Sequence, residues 1–157
     1  MRYDKILNNK RYISLINEIA ELEKDRIYCR HGYEHLFDVA RIAYIINLEE
    51  NLNIKKDVIY ATALLHDIGK GEQYKTGIGH HITSVDIAKE LLEETDYSVD
   101  EKSDIIKAIF EHRTKGSDSE LSNIIYRADK LSRACFSCKA REKCNWSIEK
   151  KNLDLRY

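Results

Sequence analysis

The stretch Ala63-Leu-Leu-His-Asp-Ile-Gly-Lys70 (ALLHDIGK) sets an ionisable His-Asp pair at the end of a run built to exclude water. Val58, Ile59, Ala61, Ala63, Leu64 and Leu65 make that run apolar nearly all round a helical projection, which predicts a central helix from Lys55 to about Ile68. A buried, ionised Asp67 is costly unless a cation, a cap or a metal compensates it. The same helical period continues on both sides. Tyr12 to about Ile27 is amphipathic, and Gly32 to about Leu52 carries Leu36, Val39, Ile42, Ala43 and Ile46 at spacings of three and four. Gly69, Gly71, Gly77 and Gly79 read as one glycine-rich loop before a helix from about His80 to Glu94. Ser98-Val-Asp-Glu101 reads as a capping box opening a helix to about His112. Ser117-Asp-Ser-Glu120 reads as a second, opening a helix to about Cys135, and Ala140 to Lys151 as a short helix. No strand pattern is present. The expectation is an all-α, compact single-domain bundle of six to seven helices over residues 1–157.

Composition narrows the function. The absence of proline leaves long helices unbroken, and 26 Lys plus Arg nearly cancel 27 Asp plus Glu. No overall basic field recruits nucleic acid, so an extended nucleic-acid surface is not expected and anion binding must be local. No apolar stretch approaches the ~20 residues needed to span a bilayer, and the N-terminal MRYDKILNNKRYISL lacks a signal-peptide core. A cytoplasmic protein without a membrane partner is expected. Its four cysteines then read as thiols or metal ligands rather than disulfides.

The polar residues on the apolar stripes carry the chemistry. His35 shares a face with Val39, Ile42 and Ile46; His66 with Ile59, Thr62 and Ala63; His112 with Ile105, Ala108 and Ile109; Asp129 with Ile125 and Ala128. His80 aligns with Ser84, Ile87 and Leu91, while His81 aligns equally well with Val85, Ala88 and Leu92. One histidine on an apolar face is more often a hydrogen-bonded core residue than a ligand. Six ionisable groups facing inward in one small domain are hard to explain separately, and imidazoles with carboxylates suit a divalent transition metal.

The order His35 … His66-Asp67 … Asp129, with the middle pair inside LLHDIGK, resembles the HD-domain metal-dependent phosphohydrolases. Tyr33-Glu-His35, Val39-Ala40, His80 with Ser84 and Ile87-Ala88, Ala108-Ile-Phe-Glu-His112 and Tyr126-Arg-Ala-Asp129 extend the resemblance over about Gly32 to Leu131. With His80 and His112 the pattern is most similar to the dinuclear branch that includes bacterial dinucleoside tetraphosphate hydrolases. After Asp129 it departs, with Lys130-Leu-Ser-Arg133 leading into cysteines. The resemblance implies two divalent ions, iron or manganese. One would be held by His35, His66, Asp67 and Asp129, the other by Asp67, His80 and His112. It also implies a metal-activated hydroxide attacking the phosphorus of a nucleotide or related phosphate ester or anhydride. Two ions, two carboxylates and a hydroxide leave about +1, attractive to a phosphate.

Lys70, directly after the HDIG turn, is the first candidate for a phosphate contact and, with Asp67, for the catalytic machinery; Arg113, Lys115 and Lys130 are secondary. Cys135-x2-Cys138-x5-Cys144, with Cys29 as a fourth thiol, reads as a structural zinc or iron–sulfur site tying residues 132–157 to an HD-like core over 32–131. Two other function classes compete: a non-haem di-iron oxygenase of the same fold, which uses the same ligand set, and a nucleotide sensor without turnover, which need not keep all six ligands.

Overall fold

A computed structural model describes residues 1–157. It is all-α, with a short first turn, α1 (Asp4–Leu7), and seven longer helices. These are α2 (Lys10–Leu22), α3 (Tyr33–Glu49), α4 (Lys56–Leu65), α5 (Lys70–Thr76), α6 (His80–Glu93), α7 (Val99–Glu111) and α8 (Glu120–Leu131). Helix α4 is the axis of the bundle. From Val58 to Leu65 all but Tyr60 are buried, and the helix packs on α3, α7 and α8. Helix α3 also packs on α8, α6 on α7, and α5 bridges α2 and α6. A single cluster of 29 buried apolar residues runs from Ile6 to Ala128. No helix is long and apolar enough to cross a membrane.

The end of α4 fixes the geometry that matters. Its last carbonyls would be orphaned in the core, and they find partners there. Tyr12 Oη donates to the Leu64 carbonyl at 3.2 Å, and His66 Nδ1 meets the Ala63 carbonyl at 2.7 Å. The chain then tightens, with Ile68 N donating to Leu65 O and Lys70 N to Asp67 O. The helix therefore stops at Leu65, three residues short of the sequence expectation, and His66 and Asp67 lie at its capped end.

Other boundaries moved for similar reasons. The expected glycine loop contains α5, because Lys70–Thr76 has good helix formers and only Gly77, at φ +79°, needs the left-handed conformation that ends it. Helix α2 stops at Leu22 because Glu23 turns inward. Ser98 and Glu101 form the expected capping box. The second box is absent: Ser119, not Ser117, caps α8 through Ser122 N. Helix α8 ends at Leu131 rather than Cys135, and the expected helix after Ala140 is two turns of 3-10 helix, Arg141–Lys143 and Ile148–Lys150.

Candidate metal centre

Five helix ends converge on one point. His35 lies in the first turn of α3 and His80 opens α6; His66 and His112 cap the C-termini of α4 and α7; Asp129 lies in the last turn of α8. Together with Asp67 all six are buried. The ligand-type atoms of His35, His66, Asp67 and Asp129 lie within 4.8 Å of one another, as do those of Asp67, His80 and His112. The two groups share Asp67. Its Oδ2 is 3.4 Å from His35 Nε2 and 3.2 Å from His66 Nε2; its Oδ1 is 3.1 Å from His80 Nε2 and 3.7 Å from His112 Nε2. Asp129 Oδ1 closes the first group at 3.3 Å from His35 Nε2. His81, which the sequence left as an alternative to His80, packs its ring against Phe110 outside both groups.

The outer faces of the rings show which nitrogen is free. His66 and His112 each place Nδ1 on a carbonyl three residues back, Ala63 at 2.7 Å and Ile109 at 2.6 Å. His80 Nδ1 meets Gln73 Oε1 at 2.7 Å. His35 Nδ1 meets Ser132 Oγ at 3.1 Å, and that hydroxyl donates onward to the Asp129 carbonyl. Every acceptor calls for a proton on Nδ1, which leaves an unprotonated Nε2 lone pair pointing inward, the arrangement that orients metal-bound histidines. His80 Nε2 and His112 Nε2 then face each other at 3.1 Å, and His66 Nε2 has no hydrogen-bond partner. Lone pairs so close repel unless a cation lies among them. The donor set therefore fits divalent metal.

Electrostatics agree. Burial lowers His112 to about 3 and also lowers His80, so both stay neutral near pH 7. Burial would also lower His66, but Asp67 and Asp129 pull it up to about 10. Two carboxylates facing each other across the site want positive charge between them, and a proton on His66 is the smallest cation available. Burial pushes both carboxyls up, yet the surrounding histidines hold Asp67 and Asp129 well below the ordinary carboxylate range.

The centre floors a cleft of about 480 Å³. Lys70, Arg113 and Lys130 all line it, whereas Lys115 lies in a separate depression beside Arg127. Lys130 is paired to Asp129 Oδ2 at 2.5 Å. Several site residues carry no sequence signal. His31 precedes α3 in an irregular segment, is buried, and lies with Nε2 3.9 Å from Asp67 Oδ2. Its Nδ1 hydrogen-bonds to Glu23 Oε1, and Tyr74 Oη donates to the same oxygen at 2.5 Å. Arg133 reaches His35 Nε2 at 2.9 Å and the Arg30 carbonyl at 2.6 Å. Only the short spacing from His31 to His35 could have flagged any of these from sequence.

The HD domain family model matches residues 32–134, and the chain belongs to the HD domain family. An uncharacterized protein of Clostridium beijerinckii is 47% identical over 156 residues, 99% of each chain. Ribonuclease Y of Pelobacter propionicus is 28% identical over 121 residues, 76% of this chain and 21% of that enzyme. Ribonuclease Y of Mycoplasma mycoides subsp. mycoides is 29% identical over 121 residues, 76% of this chain and 22% of that enzyme. The chain thus spans about a fifth of the ribonucleases it matches. The crystal structure of a predicted HD superfamily hydrolase from an uncultured Thermotogales bacterium superposes with a TM-score of 0.64 at 25% identity, covering 90% of this chain and 81% of that one. Family, neighbour and donor set together point to metal-dependent hydrolysis.

Proposed function

We propose that the protein is a metal-dependent phosphohydrolase that cleaves a phosphate ester or anhydride of a nucleotide or related small molecule. The observation that carries this reading is the charge of the cleft. Arg26, Lys70, Arg113, Lys130, Arg133, Lys143 and Lys150 line it, against only two carboxylates, Asp67 and Asp129, both in the candidate metal centre. Such walls attract a multiply charged anion, and Tyr28, Tyr126 and Trp146 offer flat faces for a base.

On this reading His35, His66, Asp67 and Asp129 would hold one divalent ion and Asp67, His80 and His112 a second, the ligand set expected of the dinuclear branch that includes bacterial dinucleoside tetraphosphate hydrolases. Nitrogen and carboxylate donors favour iron or manganese over magnesium. Ions bound there would supply Lewis acidity and lower the pKa of a bound water. The protein's own groups do the rest. Lys70, whose ammonium is drawn down by burial, and Arg113 hold phosphate oxygens at the cleft wall. His31, lowered to about 4 by burial and so neutral, would accept at Nε2 the proton given up by the attacking water, while Glu23 fixes its ring through Nδ1. Ribonuclease relatives are a reason to include short oligoribonucleotides among substrates tested.

The test is metal analysis of protein purified without oxygen, then a screen of nucleotide phosphates and oligoribonucleotides with manganese and iron. Phosphate-ester or anhydride cleavage without oxygen, reduced at least about 100-fold in Asp67→Asn with the helical spectrum retained, supports the reading. Oxygen consumption with a carbon substrate, or tight nucleotide binding with no turnover under any metal, would sink it.

A further inference from the structure

The C-terminal 26 residues pose a problem that the hydrolytic site does not solve. No residue after Ala128 belongs to the apolar core cluster, and beyond Leu131 the chain makes only single turns of 3-10 helix. Cys135 and Ala140 are the apolar residues buried there. A few hydrogen bonds attach the segment, among them Tyr28 Oη to Lys143 O, Arg133 Nη1 to Arg30 O, and Asn152 Nδ2 to Leu131 O. A segment with so little apolar burial needs a staple to hold one conformation.

The four cysteines supply one. All are free, and all line a single cavity of about 500 Å³. Cys29 comes from the loop between α2 and α3. Cys135 opens one 3-10 turn, Cys138 closes it, and Cys144 closes the next, which packs on the first. Burial pushes the Cys29 thiol up, Arg133 pulls it back, and Cys135, Cys138 and Cys144 each push it up again; the four share one electrostatic neighbourhood. Arg30, Arg133, Arg141 and Lys151 border the cavity against Glu23, Glu34 and Asp38, so thiolates there would have cations at hand.

The placement of the sulfurs bears on the choice of ligand. No three of the four lie within 4.8 Å of one another. A tetrahedral zinc with Zn–S bonds of ~2.3 Å would require sulfurs ~3.8 Å apart. Thiols that ring a cavity without converging suit a larger inorganic core. We propose that Cys29, Cys135, Cys138 and Cys144 hold an iron–sulfur cluster that staples the C-terminal segment to the helical core. That cavity is also lined by His35 and Arg133, and Cys29 and Cys144 border the hydrolytic cleft as well, so the cluster would sit beside the hydrolytic centre without sharing its ligands. It does not depend on the reaction proposed above.

The test compares the full-length protein with a Cys138→Ser/Cys144→Ser double variant, both isolated without oxygen from iron-replete cells. Acid-labile sulfide separates cluster iron from iron held by histidine and carboxylate. The expected result is about four sulfides per wild-type chain and about four irons more than the variant retains, as for a cubane cluster. The variant should keep the metal of the His/Asp centre and its helical spectrum while its C-terminal segment becomes protease-sensitive. Absence of sulfide overturns the proposal, whether zinc replaces it or no metal depends on the thiols. Should the variant not fold, the sulfide content of the wild-type chain still decides.

Discussion

At the scale of single residues, the site uses each histidine's two nitrogens differently. Nδ1 is committed to a carbonyl, an amide or a hydroxyl, and Nε2 is delivered to the centre. His31 follows a variant of this rule, because its Nδ1 partner is the buried carboxylate of Glu23. Burial alone would raise Glu23, but its hydrogen bond to His31 holds it down to about 2, so it remains an anion able to stabilise an imidazolium. His31→Asn and Glu23→Gln should each lower kcat about 100-fold. Metal content should stay at the wild-type level, since neither residue is in the two ligand groups. Parallel kinetics and metal analysis check this, and loss of metal in either variant would assign the pair to the metal site itself.

At the scale of elements, the tight turn between α4 and α5 places Asp67, and it works only because α6 can lie directly against it. A Cβ on Gly69 would come within 2.3 Å of Thr83 Oγ1 and 2.4 Å of Ser84 N. The turn is also bonded to α6, with Gly69 N donating to Ser84 Oγ at 2.9 Å and Thr83 Oγ1 to Gly69 O at 3.0 Å. Backbone cannot yield as a side chain would. Gly69→Ala should destabilise by at least about 2 kcal/mol and should also weaken metal binding, because His80 opens the helix that would be displaced. Urea unfolding with and without manganese measures both effects. Wild-type stability would show that α6 slides freely, contrary to this packing.

At the scale of the whole molecule, two charge systems bear on stability, one through pH and one through metal. Far from the centre, Arg2 donates to Glu101 at 2.6 and 3.1 Å and to Asp57 at 3.1 Å, joining the N-terminus to the starts of α4 and α7. The Arg2 hydrogen bonds hold Glu101 down to about 2 from an ordinary 4.5. A depressed carboxyl stabilises the fold above its unfolded value, and that contribution is lost as pH falls through the folded value. Stability should therefore drop between about pH 4.5 and pH 2, and Arg2→Ala should flatten the drop in acid melts. An unchanged slope would remove Glu101 from the acid response. At the centre, chelation should leave the two carboxylates with only a proton on His66 and the Lys130 ammonium beside Asp129 for positive charge. With metal at 100 times its Kd, removal should cost about 2.7 kcal/mol and lower Tm accordingly, reversibly on adding metal back.

Local pattern was enough for much of this. Helical periodicity around ALLHDIGK, together with the order His35, His66-Asp67, His80, His112 and Asp129, was readable because burial stripes and donor chemistry are properties of nearby residues. The sequence by itself thus determined an all-helical chain with a set of inward metal-type donors. Tertiary structure alone decided that His80 rather than His81 faces the centre, that Glu23 is buried beneath His31, that Lys115 lies outside the cleft, and that four distant cysteines ring one cavity. Those outcomes depend on loops and capped ends, where no period constrains the chain. There, a side chain's direction is set by partners many residues away.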